Sequence, residues 1–248
     1  MHTDDESDAG AASAETLASL SAQPLPSYAV QVPPPVQLRY RMRRGGREGE
    51  ALLDWAPGHD GVYRLRFERE WAGGQPLASL SQGALSAQGL APERFLDRRR
   101  QRDVAAANFE RAAGRVRFSG PQIEYPLWPG VQDRASWLIQ LAGIVQATAA
   151  LREAGAEVAL VVVGSRGDAS LWRFRVQGLV GVPPPAARPD SAVAGVPAPL
   201  LLHLQRAARR PYDTQVDVWL DPQRHHLPAG VRWLALPSGA LTEMWLQP

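Results

Sequence analysis

From Val36 onward, apolar side chains return at every second position, and that alternation limits the fold more than any other feature of the chain. Val36, Leu38 and Tyr40 alternate with Gln37, Arg39 and Arg41, and Tyr63, Leu65 and Phe67 alternate with Arg64, Arg66 and Glu68. Successive side chains of a strand point to opposite faces, so this period predicts half-buried antiparallel strands. Gly45-Gly46, His59-Asp60-Gly61 and Gly73-Gly74 separate the runs and tolerate positive φ at hairpin turns. The pattern continues through Ser79 to Gln88, Phe95 to Arg102, Ala105 to Phe109 and Arg115 to Phe118. It resumes at Glu157 to Val163 and Ser170 to Gln177, divided by the turn Gly164-Ser165-Arg166-Gly167-Asp168. Leu200 to Arg206, Thr214 to Leu220, Ala229 to Leu236 and Leu241 to Leu246 are expected as the last four strands.

One stretch departs from the period of two. Between Asp133 and Glu153, Trp137, Leu138, Leu141, Ile144, Val145 and Leu151 fall at helical spacing. Asp133 stands where an N-cap accepts backbone N–H bonds from the first turn, which leaves Ser136 an ordinary first-turn residue, and Gly155 is a suitable stop. The expected fold is therefore mainly β, a curved antiparallel sheet packed around one α-helix at about 133–153. Residues 1–35 are rich in Ala, Ser, Asp and Pro and read as a disordered lead ending in Val32-Pro33-Pro34-Pro35. Residues 36–248 read as one domain, with Val182 to Pro199 a proline-rich loop.

Composition removes several function classes. A chain of 248 residues buries roughly 70% of its unfolded surface and needs no staples. Without cysteine there is no disulfide framework, thiolate metal site or cysteine nucleophile. All 27 basic residues are Arg, so any Arg cluster is judged against that bias, and the net charge is only +2 with acids mixed throughout. That distribution argues against a nucleic-acid partner. The best apolar run, Val158 to Val163, is strand-sized, far from the roughly 20 residues of a membrane-spanning helix. The acidic start lacks the pattern of a signal peptide.

No residue set announces catalysis, a metal or a cofactor, and a non-enzymatic role is expected. There is no Gly-x-Ser-x-Gly elbow and no phosphate-cradling glycine loop. Convergence of His203, His225 or His226 with Asp217, Asp221 or Asp133 would revive an enzyme reading, but adjacent His225 and His226 would point opposite ways on a strand. The run Arg98-Arg99-Arg100-Gln101-Arg102 could grip an anionic group, or could be a solvent strand whose charges block edge pairing. Of eight tryptophans, Trp137, Trp172 and Trp219, with Leu141, are candidates to line an apolar cleft between sheet and helix.

Several short stretches together resemble the bacterial family called domain of unknown function 3108. They are Val36-Gln37-Leu38-Arg39-Tyr40, Asp60-Gly61-Val62-Tyr63, Ser81-Gln82-Gly83 and Gly89-Leu90-Ala91-Pro92-Glu93-Arg94-Phe95. Further on come Gly130-Val131-Gln132-Asp133-Arg134-Ala135-Ser136 and Val218-Trp219-Leu220-Asp221 leading to His226-Leu227-Pro228. The resemblance implies a half-barrel wrapped on a helix, an envelope or periplasmic location, and an architecture similar to that of periplasmic lipoprotein carriers. Two functions follow as expectations. One is a domain binding a lipid or other amphiphile in its cleft, with Arg98, Arg99, Arg100 and Arg102 near an anionic group. The other is a structural or interaction module with a filled core that meets an envelope protein.

Overall fold

The computed structural model describes residues 24–181, 199–209 and 211–247. The first meander runs through β1 (Val36–Arg44), β2 (Arg47–Pro57), β3 (Val62–Trp71), β4 (Leu77–Ser86), β5 (Gly89–Arg99), β6 (Arg102–Glu110), β7 (Arg115–Phe118) and β8 (Glu124–Pro126). A two-residue strand, β9 (Gln132–Asp133), leads into α1 (Ser136–Ala147). The second meander follows as β10 (Glu157–Val163), β11 (Ala169–Gly181), β12 (Leu200–Arg206), β13 (Thr214–Asp221), β14 (Leu227–Ala235) and β15 (Ala240–Leu246).

All fifteen strands form one sheet in the order β8-β7-β6-β5-β4-β3-β2-β1-β15-β14-β13-β12-β11-β10-β9. Register shifts at Gln82/Gly83, Asp97/Arg98, Val176/Gly178 and Trp219/Leu220 bend the strands, as bulges do where sheets curl. The curl carries the sheet around α1, which packs against β5 and β10 on one side and β14 on the other. Residues 136–145 of α1 are all buried, the signature of a helix surrounded by protein. Alternation sends Leu38, Tyr40 and Met42 of β1, Leu53 and Trp55 of β2 and Tyr63, Leu65 and Phe67 of β3 into this core.

Three sequence expectations are corrected. The helix is shorter than 133–153: Thr148 turns extended at φ −127 and ψ 104, and residues 149–152 form a separate 3-10 turn. Arg152 folds back there, donating from Nε to the carbonyl of Val145 at 3.0 Å and from Nη2 to that of Gln146 at 2.6 Å, so a side chain satisfies the last carbonyls. Asp133 belongs to β9, yet its carboxylate does accept the N–H groups of Ala135 and Ser136, both at 2.8 Å.

The third correction concerns the lead. Residues 24–35 form a strap against the core, while 1–23 fall outside the described residues. Trp55 Nε1 donates to the carbonyl of Pro33 at 3.0 Å, the Gln31 N–H to that of Gly143 at 3.0 Å, and the Ala159 N–H to Tyr28 Oη at 2.8 Å. Alternating Tyr28, Val30 and Val32 pack inward, giving this proline-rich stretch enough apolar contact to hold. The expected loop at 182–199 lies outside the described residues apart from Pro199.

The strap reaches α1 because Gly143 has no side chain. A Cβ there would stand 2.6 Å from Val30 Cγ1 and 3.0 Å from the carbonyl oxygen of Gln31. Gly143→Ala should therefore lose stability despite its better helix propensity: overpacking costs about 1–3 kcal/mol against about 1 kcal/mol gained. The expected sign of the damage is faster proteolysis within 24–35. Unchanged cleavage there would show that the strap does not depend on this contact.

Candidate functional site

Hairpins alternate between the two ends of the wrapped sheet, so the turns after β1, β3, β5, β10, β12 and β14 share one rim, here the upper rim. The turns after β2, β4, β6 and β13 share the lower one. α1 begins toward the upper rim, where β9 ends beside the end of β10.

Beneath the upper rim the interior is polar and ordered by hydrogen bonds, with Arg69 Nε and Gln132 Oε1 left unpartnered. Tyr63 Oη lies 2.9 Å from Ser81 Oγ, whose hydroxyl donates to Asp133 Oδ2 at 2.5 Å. Ser136 Oγ accepts the Asp133 N–H at 2.9 Å, which closes the head of the helix. Burial pushes the Asp133 carboxyl up to about 6, against the opposing pull of its hydrogen bonds. Nearer the rim, Asp97 accepts from Ser79 at 2.7 Å and from Ser165 at 2.5 Å, and Arg69 Nη2 donates to Ser79 at 3.2 Å. Arg134 pairs with Asp168, and Arg206 pairs with Asp213 at 2.8 Å; both guanidinium carbons stand 5.0 Å from the Trp172 ring. Each cation in this layer has an acid beside it or one hydroxyl away.

The expected cleft residues take up two separate positions. Trp137 stacks on Phe174, with centroids 5.4 Å apart and planes 10° from parallel, and meets Trp172 edge-on at 5.1 Å. Trp137, Leu141 and Trp172 are 2%, 0% and 3% exposed, so together they are packed interior. Trp219 lies on the outer wall instead. Val216, Val218 and Leu220 of β13 join the core, which leaves Asp217 and Trp219 facing out. Trp219 stacks on His203 at 4.8 Å and meets Trp245 at 4.8 Å, with the Arg232 guanidinium 5.3 Å away. The Trp245 ring reaches across β14 because Gly230 intervenes: a Cβ there would lie 2.2 Å from the indole.

Of the histidine–acid pairings that would revive an enzyme reading, His203 with Asp217 does form, apart from the other histidines. His203 Nε2 is 2.9 Å from Asp217 Oδ1 on the outer wall. Burial works to raise the Asp217 pKa, but bonds from His203, Gln215 and Gln205 outweigh it and hold the carboxyl below its usual range. His226 Nδ1 lies 2.5 Å from Gln146 Oε1 at the lower end of α1, and burial, with the Arg152 charge, holds its ring down to about 4. His225 is exposed in the lower turn that Asp221 caps through the Gln223 N–H.

The arginine run is a hairpin tip rather than a solvent strand. Arg98 and Arg99 end β5, Arg102 starts β6, and Arg100 and Gln101 make the turn at φ 52 and φ 62. Two consecutive left-handed residues match the twist of a two-residue hairpin, normally supplied by Asn and Gly. That substitution hid the turn in the sequence. Arg98 pairs with Asp103 at 2.7 Å. Arg99, Arg100 and Arg102 are exposed with no carboxylate within 4.0 Å among the described residues.

Sequence reasoning missed the convergence of Tyr63, Ser81, Asp133 and Ser136, although each lies in a quoted motif. Other motif residues do similar work. Gln140 Oε1 accepts the Leu90 N–H at 2.8 Å, Gln132 Nε2 donates to the Leu90 carbonyl at 2.9 Å, and Tyr40 Oη donates to that of Pro228 at 2.8 Å. The motifs brace the helix inside the sheet.

No family model matches the chain, including that of the family its motifs resemble, and no curated protein matches it. A solved structure does: the chain is similar to a β-barrel-like protein of domain of unknown function 1849 from Brucella abortus. Identity is 12%, the match covers 88% of this chain and 97% of that one, and the TM-score is 0.55. The chain thus has a mainly antiparallel, β-barrel-like fold, shared with a protein whose function is itself unknown.

Proposed function

We propose that this is a non-enzymatic binding module of the cell envelope that meets its partner with its surface and encloses no ligand. The reading rests on one observation, the filled interior. α1 and the aromatic stack of Trp137, Trp172 and Phe174 take up the space between sheet and helix that an amphiphile carrier would leave open. Binding pockets for apolar ligands are hollow and bury most of the ligand. The envelope setting follows the resemblance to domain of unknown function 3108, as does the family assignment itself.

Native mass spectrometry of the full chain purified gently from an envelope fraction, followed by organic extraction, tests this. The bare chain mass is expected, with no stoichiometric amphiphile in the extract. A lipid recovered at one equivalent would overturn the reading in favour of a carrier.

A further inference from the structure

We infer that the upper rim is a docking face for an anionic membrane surface; this deepens the reading of a surface-acting envelope module by naming its partner. The meander brings to this rim arginines that lie far apart in sequence: Arg44 and Arg47 after β1, Arg99, Arg100 and Arg102 after β5, Arg166 after β10 and Arg209 after β12. All seven are exposed, and none of their guanidinium groups has a carboxylate within 4.0 Å among the described residues. Most acids of this rim are already engaged, Glu48 with Arg43, Asp103 with Arg98, Asp168 with Arg134 and Asp213 with Arg206, leaving Glu50 and Glu70, which face each other on β2 and β3. Among the described residues of the lower rim, Arg111, Arg152 and Arg224 stand beside Asp60, Glu153, Glu157 and Asp221, with Arg111 and Arg152 bound to backbone carbonyls. A nearly neutral chain therefore gathers seven exposed arginines at one rim.

The arrangement works against the stability of the hairpins themselves. Arg44 stands directly opposite Arg47, and Arg99 opposite Arg102. Like charges at facing positions are unfavourable, and Arg100 occupies a left-handed conformation better suited to Gly or Asn. An anionic surface removes both repulsions at once.

Apolar side chains at the same end fit a membrane better than a soluble polyanion, although Val62, Leu179 and Leu200 are exposed toward the other end. Tyr212, 84% exposed, sits in the turn after β12, Leu236 and Leu241 are exposed around the turn after β14, and Val104 is exposed near the start of β6. Arginines interleaved with Tyr and Leu tips fit the boundary between headgroups and acyl chains, where charge is attracted to anionic lipid and aromatic rings settle. Nucleic acid would use the arginines but not the Leu and Val tips.

Cosedimentation of the full chain with vesicles of phosphatidylglycerol and phosphatidylethanolamine, or of phosphatidylcholine alone, tests the inference at about 0.05 and 0.5 M salt, which brackets strong and weak screening. Binding to the anionic vesicles alone is expected, falling at least about tenfold at high salt. The rim variant Arg99→Gln/Arg100→Asn/Arg102→Gln should lose at least about tenfold, whereas the equal charge change Arg39→Gln/Arg64→Gln/Arg94→Gln on the outer wall stays within about twofold. Tyr212→Ser should weaken binding that persists at high salt. Equal losses in the two triple variants, or no binding of the parent chain to anionic vesicles, would overturn the inference. So would binding of a single-stranded oligonucleotide, but not vesicles, that depends on the same three arginines. Salt dependence of the parent chain keeps the test decisive if the rim variant misfolds. An amphiphile found inside the barrel would refute the filled-module reading without touching this result, and vesicle failure alone would leave that reading intact.

Discussion

At pH 5, Asp133→Ala is expected to lose about 4 kcal/mol of stability, whereas Asp133→Asn keeps the fold and removes one component of its pH dependence. The alanine leaves the Ala135 and Ser136 N–H groups and the Ser81 hydroxyl without their buried acceptor, at about 1–3 kcal/mol each before relaxation. Asparagine still accepts the two backbone bonds, and its amide can donate to Ser81 Oγ. The sign of the pH effect follows from the direction of the shift. Burial raises the folded-state pKa to about 6, above the ordinary value of 3.8, so the native state holds this proton more tightly than the unfolded chain. The contribution is complete below the unfolded pKa, is lost as pH rises through about 6, and amounts to about 3 kcal/mol for a shift of about two units. Asp217 and His226 act in the opposite sense, because both have lowered folded-state values and their contributions are lost as pH falls. The informative quantity is therefore the difference between parent and Asp133→Asn in urea midpoints from pH 4 to 7. Parallel curves would mean that Asp133 does not titrate in this window.

Trp137→Ala should be among the most damaging single truncations and should also change what the protein binds. The indole is fully enclosed between Phe174, Trp172 and the rest of the core, so its removal costs about 3–5 kcal/mol. For a domain of this size that corresponds to a melting temperature lower by roughly 6–20 °C. The space left behind is lined by apolar side chains, and such cavities stay dry and accept small apolar molecules. Benzene or indole is accordingly expected to raise the melting temperature of Trp137→Ala and leave that of the parent unchanged. Equal stabilisation of both would reveal space in the parent interior and weaken the filled-barrel reading.

The strands were legible where one face is buried and the other wet, as at Tyr63, Leu65 and Phe67. β8 and β9, with three and two residues, are too short to establish a period. The helix looked longer than it is because Leu151 continues the apolar spacing, and this side chain does pack on the core, but from the 3-10 turn. The outward position of Trp219 was available in its parity with Val216 and Val218; weighing it as a large apolar residue hid that signal. Neither the meeting of Ser81 with Asp133 nor the gathering of Arg44, Arg99 and Arg166 on one rim could be read in advance, because both depend on how far the sheet curls.

The strand order has a consequence for how the molecule is made. Every neighbouring pair in the sheet is consecutive along the chain except β1 with β15, where Tyr40 faces Leu246 and Met42 faces Met244. Each hairpin can form as its residues leave the ribosome, but the two halves cannot be sewn together until the last strand, Ala240–Leu246, is released. Until then β1 offers an unpaired edge and the half-wrapped sheet exposes the surface meant for α1, the kind of long-range closure that slows folding and invites association. The pairing of β1 with β15 thus commits the fold, and a nascent chain stalled before residue 240 would be a ready client for chaperones.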